Sequence, residues 1–198
     1  MSITLNKDEL NVIEPEQYFS EIDWLTEEQR KRRIEEAKDY RDMMLLWFAQ
    51  YEIDGNGDYL PLADSFRERM SAYGEVDSEL SDYADIFALS VVQTTMDNEG
   101  EYWTSYRRAT NIGNDTAQTV ENNLDFKAAM AGKKRKTWID VRDKRERETH
   151  LEVGGSTIPV GEYFRVGKAK MRYPKDVLAA NEFPEEVVNC RCGIKYHS

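Results

Sequence analysis

At Lys133 the sequence changes its grammar, and that change limits the fold more than any bulk property of the chain. Before it, apolar residues recur at helical intervals; beyond it come short apolar runs cut by glycine and proline, with the basic stretch Lys133-Lys134-Arg135-Lys136 at the join. Recurrence at three and four residues builds helix, whereas short runs bounded by turn residues build strands and loops. The expected fold class is therefore α+β: a mostly helical N-terminal region followed by a small α+β C-terminal module with a short antiparallel sheet.

Within the helical part, residues 1–25 contain Pro15 and no sustained period, and read as a helical or irregular lead-in. Thr26-Glu27-Glu28-Gln29 fits a capping box, so a long helix is expected to start there. Ile34, Ala37, Met44, Phe48 and Tyr51 fall on one stripe of it, and it should end near Asp54-Gly55-Asn56-Gly57-Asp58. Asp54, Asn56 and Asp58 alternate as in the first half of an EF-hand loop. Tyr59 and Ser65, however, stand where that loop needs its bending glycine and its bidentate glutamate, so a turn between helices is the expectation. Further helices are predicted over about 62–73 (Leu62, Phe66, Met70, Tyr73) and about 79–96 (Leu80, Tyr83, Phe87, Val91). Two more are predicted over about 100–112 and 115–131, divided by Gly113 and stopped by Gly132. Tyr102, Trp103 and Tyr106 are expected in the core, not on a nucleic-acid stacking platform.

A length of 198 residues, 33% of them charged and 40% apolar, fits a folded chain with a real core. The charge is divided unevenly. Residues 1–130 carry 12 Lys/Arg against 28 Asp/Glu, and residues 131–198 carry 15 against 10, so balances of −16 and +5 make up the total of −11. A basic end suits nucleic acid, and an acidic end suits a protein partner or is simply solvated. The apolar run Met43–Ala49 is far short of the roughly 20 residues of a bilayer span. No basic n-region with an apolar stretch opens the chain, so no membrane partner and a cytosolic origin are expected.

In the C-terminal part, Thr137 or Asp140 can cap a short helix ending by His150. On that helix Asp143, Arg147 and His150 share a face, so that Asp143 pairs with Arg147 and Glu146 with His150. Glu152–Val160 reads as two short strands about a glycine turn, and Cys190–Tyr196 as a terminal strand. Strand alternation would aim Cys190 and Cys192 to one side and Arg191 to the other. A disulfide across so short a tether is misaligned. Two thiols and an imidazole suit a soft metal, with His150, Cys190 and Cys192 as ligands for Zn and Asp143, Asp176, His197 or water as the fourth. Two small buried thiols beside a hydrogen-bonded histidine would leave the same sequence, and that second reading stays open. No phosphate loop, nucleophile elbow or His-Glu-x-x-His occurs, so no catalytic residue is assigned and an enzyme is not expected.

In order along the chain stand Trp138, Asp143-x-Arg145-x-Arg147-x-x-His150, Gly155 with Ile158-Pro159-Val160, Phe164, Tyr173-Pro174-x-Asp176 and Glu185-Glu186-Val187-Val188-Asn189-Cys190-Arg191-Cys192. This order closely resembles the Mu F-like minor head (head morphogenesis) proteins of tailed bacteriophages. The resemblance spans roughly residues 105–196 and is strongest over 136–192, which divides the chain into an acidic helical region, 1–100, and a Mu F-like domain, 101–198. Lys175 stands where the family usually has glycine, and Arg108-Ala109-Thr110-Asn111 stands where it often has an Ala-Arg-Thr-Glu-like stretch.

The resemblance implies a virion component of a tailed phage or prophage, placed in the capsid interior near the portal and assembled in the host cytoplasm. Its partners would be portal, capsid and scaffold proteins and double-stranded DNA, with ejection alongside the genome. Trp138, Asp143, Arg145, Arg147, Gly155, Pro159, Pro174, Asp176, Asn189 and Arg191 would be its structural motif. Lys133, Lys134, Arg135 and Lys136, with Arg142, Lys144 and Arg145, are the candidate DNA contacts. Some relatives carry a toxin domain after Cys-Arg-Cys, and with six residues left after Cys192 none is expected here. The alternative is a zinc-dependent hydrolase, nuclease or peptidase-like, in which His150, Cys190 and Cys192 leave one metal position open to water.

Overall fold

The structure, a computed structural model, describes residues 12–141, 146–180 and 182–198. The fold is α+β, with helices toward the N-terminus and a small antiparallel sheet toward the C-terminus. Contacts divide the chain into two compact units. The first takes residues up to Glu21 and Glu27–Ala117; the second takes Ile22–Thr26 and Gln118–Ser198.

The first unit holds α1 (Pro15–Ser20), α2 (Glu27–Asp54), α3 (Leu60–Ser71), α4 (Ser78–Met96), a 3-10 turn (Glu101–Thr104) and the first half of α5 (Tyr106–Met130). α2 begins one residue after Thr26. It ends where Gly55, at a left-handed φ of 64°, donates its N–H to the Tyr51 carbonyl at 2.8 Å. The side chains of Asp54, Asn56 and Asp58 then accept the N–H groups of Asn56, Asp58 and Leu60 at 2.9, 3.0 and 3.0 Å. The acidic alternation is thus a ladder of side-chain-to-backbone bonds that shapes the turn. Asp77 caps α4 by accepting from Leu80 N at 3.1 Å. Ala37, Met44 and Phe48 of α2, Leu62, Phe66 and Met70 of α3, and Leu80 and Val91 of α4 are buried, as their helical recurrence implied.

Two expectations about this unit are corrected. Gly113 does not divide a helix, because α5 runs unbroken through it. A Cβ at that position would lie 2.3 Å from the Ala37 carbonyl oxygen, so the glycine is there to let α5 approach the α2 backbone. Its propensity cost, about 1 kcal/mol, is outweighed by that packing. Nor are the aromatics core residues: Tyr102 is exposed and Trp103 and Tyr106 are half-buried. Cations cover them instead, with Arg107, Arg108 and Arg41 lying 5.9, 4.8 and 5.3 Å from the rings of Tyr102, Trp103 and Tyr106.

The second unit holds the second half of α5, then β1 (Arg135–Ile139), α6 (Glu148–Val153), β2 (Thr157–Pro159), β3 (Phe164–Val166), β4 (Ala169–Met171), α7 (Pro184–Val187) and β5 (Gly193–His197). β1 is the centre of an antiparallel sheet ordered β2-β1-β5, in register Lys136↔Ile158 and Trp138↔Ile194; β3 and β4 form a separate hairpin. Trp138, Phe164, Val166, Met171 and Val187 pack with both cysteines into one core. Gly193 admits Trp24, since a Cβ there would sit 2.1 Å from the indole, and the Trp24 N–H donates to the Arg191 carbonyl at 3.3 Å.

Here the local assignments change. Residues 135–139 are strand, so Thr137 caps no helix, and Lys136 and Trp138 alternate inward, both fully buried. The helix begins just before His150 instead of ending there. Of the hairpin expected over 152–160 only β2 forms, and it pairs with β1, while Val153 closes α6 before the turn at Gly155, φ 76°. The cysteines precede the terminal strand, which starts at Gly193. No helix of the described residues is long and apolar enough to cross a membrane.

Candidate metal centre

α6 and the turn after α7 bring the site together. His150 faces inward from α6, where Arg147 anchors the helix start by donating from Nη2 to the Val188 carbonyl at 2.6 Å. At Asn189 the backbone turns through a left-handed φ of 57°, a conformation asparagine tolerates, and this delivers Cys190 into the core. His150 Nδ1 lies 3.4 Å from Cys190 Sγ and 3.5 Å from Cys192 Sγ. One donor atom from each of the three residues fits within 4.8 Å of the others, and their exposures are 1%, 2% and 2%. Both thiols are free. This group can hold a metal ion.

The surroundings orient the donors. Trp138 stands edge-on to the imidazole, with ring centroids 5.7 Å apart at 88°. On the far side of the ring, Glu186 Oε2 lies 3.2 Å from His150 Nε2 in a close but bent contact, and accepts from Thr149 Oγ1 at 2.8 Å. Nδ1 faces the thiols while Nε2 faces the Glu186 carboxylate. Glu146 Oε1 accepts from Cys192 Sγ at 3.3 Å. Lys175, fully buried, donates to the Val187 carbonyl at 3.2 Å.

Electrostatics within the group separate the two thiols. Burial raises the Cys190 thiol, but hydrogen bonds from Cys192 and His150 and the charges of His150 and Lys175 outweigh it, holding Cys190 well below the ordinary range. Cys192 moves up, chiefly through its hydrogen bond with Cys190, and further through burial and the neighbouring charges of Cys190 and Glu146. His150 is lowered by burial but raised on balance by its bond to Cys190 and by the charges of Cys190 and Glu186. These shifts favour the thiolate at Cys190 and keep the proton on Cys192.

Of the fourth ligands proposed from sequence, neither Asp176 nor His197 joins the group. Asp176 is consumed by Arg172, accepting from its backbone N, Nε and Nη2 at 2.7, 2.9 and 2.7 Å, and by Leu178 N at 3.1 Å. His197 Nε2 lies 2.8 Å from Thr137 Oγ1 on the sheet. Arg142, Asp143, Lys144 and Arg145 lie outside the described residues, and with them the expected Asp143–Arg147 pair. Pro159 ends β2 opposite Arg135, and the Pro174 carbonyl accepts from Asn122 at 2.9 Å. Lys175 adopts φ 63°, a left-handed conformation that glycine takes without strain.

The basic run divides. Lys133, Lys134 and Arg135 are exposed, but Lys136 is not a candidate DNA contact: its side chain is fully buried, with Nζ 4.9 and 5.4 Å from the rings of Phe126 and Phe164. Sequence reading missed Glu146 as a neighbour of Cys192, Glu186 as the orienting carboxylate, and Trp24. The only signal for Glu146 was its spacing of four from His150. Comparisons with protein-family models, curated proteins and solved structures find no match to this chain.

Proposed function

We propose that this chain is a minor capsid, or head morphogenesis, protein of a tailed phage or prophage, and that zinc held by His150, Cys190 and Cys192 fastens its C-terminal unit. One observation carries the reading. Trp138, His150, Cys190 and Cys192, spread over the Mu F-like pattern, come together in a single buried group. Two thiolates and an imidazole are a zinc ligand set. A hydrolytic zinc needs a position open to water, and ligands exposed by only 1–2% favour a structural ion over the hydrolase alternative.

In this role the acidic helices engage portal and capsid or scaffold proteins inside the capsid, and Lys133, Lys134 and Arg135 meet packaged duplex DNA, with which the protein leaves. The test is expression of the tagged full chain together with a phage head gene cluster. Co-purification with portal and entry into particles is the expected result; a monomer absent from particles overturns the proposal.

A further inference from the structure

The geometry points to Glu146 as the fourth ligand of the metal centre, an inference that rests on the metal reading above and completes it. Tetrahedral zinc, with Zn–S of about 2.3 Å and Zn–N or Zn–O of about 2.0–2.1 Å, places neighbouring ligand atoms about 3.5 Å apart. The distances from His150 Nδ1 to the two sulfurs are 3.4 and 3.5 Å, and that from Glu146 Oε1 to Cys192 Sγ is 3.3 Å. Three edges of the tetrahedron already have the required length.

Glu146 stands at the rim of the group, its Oε1 3.3 Å from Cys192 Sγ. The oxygen that already faces Cys192 is the one that would complete the tetrahedron. The Val141 N–H, 3.3 Å from Oε1, holds the same oxygen near the site beforehand. On binding, the metal ion takes the place of the Cys192 thiol proton and of the proton on His150 Nδ1, and both leave to solvent. Two thiolates and a carboxylate exceed the charge of a divalent ion by one. Lys175 is a cation whose charge already acts on Cys190. Four protein ligands leave no position for water, so the centre is structural, and it pins the start of α6 to the cysteine turn.

The test compares the full-length protein with Glu146→Gln, which preserves side-chain volume, Glu146→Ala, and Glu148→Ala as an exposed neighbour. Zinc is titrated in competition with a chelator, and cobalt(II) is substituted to read the coordination sphere by its visible absorption. Glu146→Gln and Glu146→Ala should bind zinc at least about tenfold more weakly and shift the cobalt spectrum as water replaces the carboxylate, while Glu148→Ala matches wild type. Wild-type affinity and an unchanged cobalt spectrum in Glu146→Ala would overturn the role of Glu146 and leave the metal centre standing. A wild-type protein that takes up neither metal would overturn both.

Discussion

His150 Nδ1 lies 3.4 Å from Cys190 Sγ, although forty residues of chain separate them. Purified protein is accordingly expected to carry one zinc per chain. Structural zinc sites contribute on the order of 10 kcal/mol at neutral pH, so chelation should lower the melting temperature and Cys190→Ser or Cys192→Ser should abolish uptake. Elemental analysis and calorimetry with and without chelator provide the check. Because Cys192 is held protonated and His150 is raised, binding must displace protons, and zinc affinity should fall as pH falls. Metal-free protein of unchanged stability would contradict this.

Lys136 makes a prediction about pH. Burial moves its amine from 10.5 down to about 8. Below about 8 the folded and unfolded states are both protonated and the full desolvation penalty applies. Between about 8 and 10.5 the unfolded chain holds more protons, so stability rises with pH, and above 10.5 the penalty is gone. Lys136→Met should stabilise the protein at pH 7 by about 1–2 kcal/mol, the cation–π contacts with Phe126 and Phe164 offsetting part of the gain. Buried Tyr40 and Tyr173, pushed upward chiefly by burial, lose stability as pH rises past 10. The measurement is therefore the difference between wild-type and variant urea midpoints from pH 7 to 10.5, which should shrink as pH rises.

Gly113→Ala would drive a methyl group into the Ala37 carbonyl and should cost about 2–4 kcal/mol in chemical denaturation. Gly132→Ala is the matched control. A Cβ there meets nothing within 4 Å, and its stability should stay within about 0.5 kcal/mol of wild type.

Lys175 pairs a left-handed backbone with a buried amine, and the two effects can be separated. Lys175→Ala and Lys175→Gly both lose the bond to the Val187 carbonyl, but only alanine keeps a Cβ at φ 63°. The glycine variant should be the more stable of the two by about 1 kcal/mol. Equal melting curves would mean that the turn carries no strain.

DNA contact has an electrostatic signature. Replacing Lys133, Lys134 and Arg135 by alanine should weaken duplex binding across sequences and flatten its salt dependence by up to about three phosphate contacts. Lys136→Met should leave binding unchanged, because that amine is buried. Salt titrations of all three proteins read this out, and binding that ignores salt would remove DNA from the list of partners.

The sequence by itself determined α2, α3 and α4 and singled out His150, Cys190 and Cys192 as a group. α2, α3 and α4 were legible because a helix buries a face once per 3.6 residues, and Met44, Phe48, Phe66 and Val91 obey that period with residue types that belong inside. Imidazole and thiols were legible because few residue types do their chemistry. Only the tertiary structure decided where residue type and burial disagree. Lys136 reads as a surface charge, yet antiparallel pairing of β1 with β2 and β5 turns it inward with Trp138. Gly113 reads as a helix stop, yet it sits in mid-helix because the Ala37 carbonyl leaves no room for a side chain. Glu146 reads as one acid in a charged run, and only the fold, by bringing the cysteine turn to it across 46 residues, gives it a thiol to face.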